Sequence, residues 1–511
     1  MRDINLTMER SSLTKLIEQF RECKTSAEER EFINTQRANI RTKIKDLNPS
    51  EKAEAILKLI WMNMLGFETE FSQIECMNAL FNDNFKLKTV GYLGLTLFLS
   101  EESQVLMMAT NRIRIDLENT SNDFLPALAL RTFSEIADTA MVHDLASNVK
   151  KLLRSESKFI RKKAMLAAIR ILKKDPNFVD ELKDLLPSLL LEQNQGLLIC
   201  SLHLAREVLR VKPGAHVHFV RSLDNLYAVL KGLTSKFAGN YNINGVNDPF
   251  LQCAIIDFLK IMAQQDESLI PEFAAQALAM YNGVQANSSS TAKCILYQVA
   301  KSIMQVSSTH ALKKVAISIL GSFLELRNKN YLFASLNMLY FASNKYKEEV
   351  SKFDKIIQKC ATEKDFTTKK LAISVLKNIA GASNSSEILE LIIAQIQTED
   401  NRAHLKELLA IAFTLIEKNS PSIPAYIDGC IGVLSVVKGD AREMFLETFF
   451  NLVANRQDIQ GYLAINSTVL LSRKQVADKE LLIKACMWSV GEFYGFLIRA
   501  FGRRTRHQYW N

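Results

Sequence analysis

Apolar positions recur along this chain at three- and four-residue steps, and the stretch from Ser155 to Pro176 shows the pattern most fully. Phe159, Ile160, Ala164, Ala167, Ala168, Ile171 and Leu172 fall on one helix face, because about 3.6 residues complete a turn. Lys158, Arg161, Lys162, Arg170, Lys173 and Lys174 fall mainly on the other side. Ser155 and Ser157 offer hydroxyls to the unpaired N–H groups of the first turn. Asp175-Pro176 stops the helix, since proline disfavours helical geometry in the residue before it. Such a helix cannot hide its apolar face alone, so the pattern predicts that it is stacked on others.

The same unit recurs on both sides. Upstream, Thr120 to Phe133 places a polar cap before Phe124, and Phe124 lies 35 residues before Phe159. Downstream, similar units run from Gln193 to Leu202, Asn247 to Ile256, Asn328 to Leu336, Lys364 to Ile373 and Glu399 to Leu408. Tyr331 and Phe366 are again 35 residues apart. Most units read as a polar cap, a bulky apolar residue, a small residue and a long apolar helix. Repetition at this period predicts an all-α chain, an α-solenoid of paired helices. Near the start, two helices between Ser11 and Asp46 break at Thr25-Ser26, with Ser26 to Glu29 as a capping box. Asn48 to Glu51 opens the next helix. Lys236 to Pro249, rich in turn formers, reads as a surface loop, and Pro421 to Pro424 as a short break. The end, Phe501 to Asn511, reads as a short basic tail.

Composition narrows the picture. The 511 residues include only 9 Pro and 18 Gly, which suits long helices better than many-stranded sheets. The longest strongly apolar run, Val90 to Leu99, is too short for a spanning helix, which needs about 20 residues. The first ten residues contain no apolar signal region. Eight cysteines lie far apart, without the paired spacing of a disulfide or zinc framework. The net charge of +9 is spread along the chain and admits nucleic acid, an anionic membrane or acidic partners. The ridge from Lys158 to Lys174 reads either as a patch for such a partner or as an ordinary helix exterior.

No catalytic constellation is found. Gly91 to Gly94 lacks the lysine and hydroxyl of a phosphate-binding loop and sits within a helix. His216 and His218 could present two imidazoles on an extended segment, but no third ligand is nearby. The sequence therefore implies no enzyme, no cofactor and no metal.

Several segments, in order over nearly the whole chain, carry a resemblance to a known family. They are Arg21 to Glu31, Ala38 to Thr42, Lys58 to Gly66, Glu75-Cys76, Val90 to Gly94, Asn111, Asp116-Leu117, Phe159 to Ala164, Asp248 to Leu251 and Trp488 to Tyr494. Together they resemble the large adaptins of the clathrin adaptor complexes, most closely the gamma-adaptin trunk. The resemblance implies HEAT/armadillo-like repeats in one curved trunk over residues 1–511, with the family's hinge and ear domains absent. It implies a large subunit of a heterotetramer, paired with a beta adaptin, a medium mu and a small sigma subunit. An Arf-family GTPase would recruit it as a peripheral protein of trans-Golgi network, endosomal and coated-vesicle membranes, where it selects cargo. Clathrin would be met indirectly and nucleic acid not at all. Arg21 matches the family arginine that contacts the acidic residue of a dileucine signal. The positions matching the family's basic lipid-binding cluster read Lys52, Ala53 and Glu54, leaving Arg10, Arg41, Lys43 and Lys52 as a diffuse membrane-facing set. A large chain of alpha or epsilon type is the alternative, as is a helical-repeat scaffold or transport receptor. Against the last, Trp61, Trp488 and Trp510 do not repeat as an armadillo-type peptide groove requires.

Overall fold

The computed structural model describes residues 12–499 apart from 70, 104, 236–240, 307–308, 327, 382–383, 400, 421, 437–441 and 473–478. Arg10 and the basic tail therefore lie outside the described residues. The chain forms two compact units, Met1–Ser302 and Ile303–Asn511. Each is a stack of paired helices, the α-solenoid that the periodicity predicts.

The first unit runs α1 (Leu13–Arg21), α2 (Ser26–Lys43), α3 (Pro49–Met64), α4 (Ser72–Leu80), α5 (Phe85–Phe98), α6 (Leu106–Leu117), α7 (Phe124–Ile136), α8 (Thr139–Leu152) and α9 (Lys158–Lys174). It continues through α10 (Phe178–Leu182), α11 (Leu186–Leu189), α12 (Gln195–Val211), α13 (Leu223–Thr234), α14 (Pro249–Gln265) and α15 (Ile270–Val284) into α16 (Ser290–Gln305). Helices α3, α5, α7, α9, α12 and α14 pack in succession as one layer, while α4, α6 and α8 form the facing layer. The second unit holds α17 (His310–Leu324), α18 (Lys329–Ser343), α19 (Lys347–Ser351), α20 (Asp354–Cys360), α21 (Phe366–Ile379), α22 (Ser385–Thr398) and α23 (Arg402–Asn419). Helices α24 (Ile423–Leu434), α25 (Arg442–Ala454), α26 (Gln457–Leu471) and α27 (Glu480–Glu492) complete it.

Side chains on α9 sort as their spacing dictates, with one exception. Ile160, Ala164, Ala167, Ala168, Ile171 and Leu172 are buried, but Phe159 is exposed. The capping details also differ from expectation. Ser157 holds the cap position of α9 without a side-chain bond. At α2 the cap is Thr25, which accepts from Glu28 N while Lys24 N donates to Glu28, one residue earlier than the expected box. Asn48 and Glu51 form the expected reciprocal box on α3. The described part of the predicted loop is a small hairpin, with β1 (Asn242–Ile243) antiparallel to β2 (Val246–Asn247). Asn244 and Gly245 both take positive φ at its turn, which suits a tight hairpin connection.

Close packing of the layers is set at α4 and α5. A Cβ at Gly94 would lie 2.3 Å from Cys76 Sγ, and one at Gly91 would lie 2.9 Å from Ala79 Cβ. Glycine is needed here for approach, not for a phosphate. Beside this contact sits a buried polar cluster. Asp116, 1% exposed, accepts from Tyr92 OH at 2.7 Å, from Arg112 at 2.8 Å and from Lys88 Nζ at 3.3 Å. Burial, with the Asp116 charge, holds the Tyr92 phenol above its usual range. In the second unit, Lys313 Nζ donates to the carbonyls of Ile303, Met304 and Val306 and so closes a helix end.

Polar links between successive repeats keep the period of the apolar pattern. Asn148 to Glu118, Lys150 to Glu181, Arg161 to Glu192, Lys212 to Asp180 and Asn378 to Ser343 are each separated by 30 to 35 residues.

Asp116→Asn removes the charge that compensates buried Lys88, and should cost roughly 3–5 kcal/mol in urea unfolding of the full chain. Asp144→Asn, which touches the half-exposed pair with Arg114 and the exposed His143, should cost under about 1 kcal/mol. Equal costs for the two would show that the buried cluster has no special weight.

Candidate functional site

Arg21 is the last residue of α1, where a cation also favours the negative end of the helix dipole. Leu16 is buried and Phe20 meets Trp61 of α3 edge-on at 5.2 Å, with Phe32 of α2 at 6.4 Å. These contacts fix the end of α1 against the stack and leave Arg21 exposed. Among the described residues no carboxylate pairs with it, and Glu18 and Glu22, its nearest acidic neighbours in sequence, form no salt bridge to it. An exposed guanidinium on an anchored helix end is suited to receiving a carboxylate through two parallel N–H bonds.

Of the diffuse basic set, Arg41, Lys43 and Lys52 lie among the described residues. Arg41 and Lys43 close α2, and Arg41 lies over the Phe71 ring at 5.6 Å. Lys52, in the first turn of α3, lines a cleft of about 280 Å³ together with Lys45, Glu75 and Asn78. Lys45 was not expected there, because it lies beyond the end of α2 and reaches the cleft only through the turn between α2 and α3.

Three cations of the α9 ridge are engaged by neighbouring repeats. Arg161 holds Glu192 at 2.6 Å. Arg170 donates to Ala137 O at 3.1 Å and to Glu101 at 2.6 Å, and Lys174 also binds Glu101. The hydrogen bonds from Lys174 and Arg170 hold the Glu101 carboxyl below its usual range. This pattern favours the exterior-face reading for Arg161, Arg170 and Lys174. His216 and His218 lie in a short 3-10 helix rather than an extended segment. Among the described residues no group of three or more His, Cys, Asp or Glu is placed to hold a metal ion, and no described helix is long and apolar enough to cross a membrane. All eight cysteines are free thiols.

A family model described as "Adaptin N terminal region" matches residues 29–504, and the chain belongs to that family. A protein named AP-1 complex subunit gamma from Dictyostelium discoideum is 31% identical over 497 residues, covering 96% of this chain and 54% of its own length. AP-1 complex subunit gamma-1 from Mycosarcoma maydis is 32% identical, covering 96% of this chain and 55% of its own length. The namesake from Arabidopsis thaliana is 29% identical, over 96% and 56% respectively. The chain thus spans about half the length of these curated relatives. A chain of a homology model of the full-length AP-3 complex in an intermediate open conformation shares the fold. It has a TM-score of 0.54 at 17% identity and covers 90% of this chain and 83% of its own.

Because the Glu101 carboxyl titrates lower in the folded chain, its stabilising effect is present above the unfolded value and is lost as pH falls through the folded one. The melting temperature of Glu101→Gln should therefore fall below wild type at neutral pH. The gap should close as pH drops from about 5 to about 3. A gap that persists at the acid end would mean that the charge of Glu101 is not what stabilises the chain.

Proposed function

We propose that this adaptin chain is the large subunit of a heterotetrameric clathrin-associated adaptor complex, acting in cargo selection and coat formation at the trans-Golgi network and endosomes. The observation that carries the reading is the family match across residues 29–504, alongside relatives named as gamma subunits that align with 96% of the chain. The role is that of a scaffold, and no step of catalysis is assigned to it. The partners are a beta adaptin, a mu and a sigma subunit, with an Arf-family GTPase bringing the assembly to the membrane as a peripheral component. Clathrin is met through the assembly rather than through this chain.

Within that complex we assign Arg21 to the acidic residue of a dileucine signal. Its exposure, the lack of a carboxylate partner among the described residues and the anchoring of α1 by Phe20 support the role. Arg41 and Lys52 are less suited to a shared lipid site, since one faces an aromatic ring and the other a cleft containing Glu75. Membrane attachment is therefore expected to depend on the GTPase more than on lipid charge.

Tagged chain recovered from its native source should bring down the three partner subunits in equal amounts. A monomer without them would overturn the adaptor reading. In the assembled complex, Arg21→Glu should leave assembly and tyrosine-signal binding unchanged. Its affinity for an acidic dileucine peptide should drop by about tenfold or more, as expected when a charge-assisted bond worth about 1.5–3 kcal/mol is lost. Wild-type affinity for that peptide would remove Arg21 from the site.

A further inference from the structure

Helices α5, α7, α9, α12 and α14 follow one another in a single layer of the first unit, each packed against the next. In each, a cap residue precedes a residue at the first or second helical position: Phe85, Phe124, Phe159, Gly196 and Phe250. The first three form a ladder of exposed rings. Phe85 meets Phe124 at 6.4 Å and Phe124 meets Phe159 at 5.8 Å, both edge-on. The next position, at α12, is glycine, and the ladder lapses there. Phe250, 71% exposed, then resumes the apolar character of the edge at α14.

Where the rung is missing, a cleft of about 640 Å³ opens, lined by Gly196, Ile199, Tyr241, Phe250, Arg206 and Lys301 among others. That is room for an aromatic side chain and its flanking backbone. Its charged lining is Arg206 and Lys301 with Asp248 and Asp257, and Lys162 stands beside Gly196. Asp257 is already held by Arg206 at 3.0 Å and by Lys260 at 2.6 Å. Asp248 is committed to capping α14 through Leu251 N. Burial pushes His203 below its usual value, so it adds no fixed charge at neutral pH. Lys301 has no carboxylate partner among the described residues. Neither has Lys162, whose ammonium lies 2.6 Å from where a Cβ on Gly196 would stand.

We propose that this cleft is a docking socket for an acidic peptide segment that inserts one bulky apolar side chain into the place of the missing rung. The apolar walls are Phe250, Tyr241 and Ile199, and the ammonium groups of Lys162 and Lys301 face the acidic flanks. Phosphatidylserine headgroups share the negative charge but lack the side chain that would fill the socket, which makes the two occupants separable. The inference is independent of Arg21 and of the dileucine reading, since it concerns a different end of the first unit.

The test uses the full chain and a fluorescein-labelled peptide, Glu-Asp-Glu-Phe-Glu-Glu-Asp, read by fluorescence anisotropy. Saturable binding is expected, with loss of at least about tenfold when the phenylalanine becomes alanine. Gly196→Phe fills the socket from within, and its Cβ would meet the flexible end of Lys162; it should abolish binding while leaving the melting temperature near wild type. Lys301→Glu should weaken binding about tenfold or more, as reversal of a facing charge does. Should Gly196→Phe fold poorly, Phe250→Ala with Lys301→Glu replaces it, each expected to weaken the peptide. No peptide binding, binding that survives filling of the socket, or a Lys301→Glu effect on phosphatidylserine vesicles alone would each overturn the proposal.

Discussion

Each helix of the first unit has one apolar face and only its neighbours in the stack to bury it against. Neither helix of a pair is stable alone, and the pair is not stable without the next pair. Close approach of the layers is therefore the condition on which everything else rests. Within the first unit it is met most tightly where Gly91 and Gly94 of α5 admit Cys76 and Ala79 of α4. With the layers that close, the region around Asp116 is dry, and its carboxylate must be shared among Lys88, Arg112 and Tyr92 rather than left to water. Apolar approach and polar satisfaction are two sides of the same packing.

The positive charge of the chain follows a similar logic. Asp180 accepts from Lys212 and Lys183, and these bonds push its carboxyl down to about 2. Arg161 with Glu192, and Arg170 and Lys174 with Glu101, likewise join residues of different repeats. Much of the basic sequence is thus used to tie one repeat to the next. Arg21, exposed, and Lys301, half-buried, take no part in these links and have no carboxylate partner among the described residues.

The repeat architecture was legible because burial in a stack imposes a period on side-chain polarity, and the polar links keep the same spacing. Other features were not, for local reasons. Phe159 shares the buried spacing of α9, yet it sits in the first turn, where the neighbouring layer has not begun to cover the helix; its rung position shows only once Phe124 is beside it. The stretch before Pro249 carries turn formers in abundance, and composition alone did not distinguish a loop from a two-residue hairpin. The cap of α2 slipped by one residue because Thr25 and Ser26 carry equivalent hydroxyls, and tertiary position decides which is used. At the candidate site, Arg21 came from family resemblance and not from pattern, since a lone arginine at a helix end has no periodic signature. Lys45 needed the turn between α2 and α3 to reach Lys52.

The same reasoning explains why the helix starts matter for recognition. A bulky residue at the first or second position of a helix is only partly covered by the next repeat, so it adds little to the core and leaves apolar surface at an edge. Three such residues in ring contact make that edge continuous, because edge-on aromatic pairs hold one another in place without burial. A glycine in the same register does the opposite. Gly196 lets the Lys162 ammonium come over the backbone and leaves Phe250 and Tyr241 facing open space. The gap adds nothing to the core, and what it does provide is a recess with apolar walls and a cationic rim. That combination is a part of the first unit's surface suited to meeting an acidic chain.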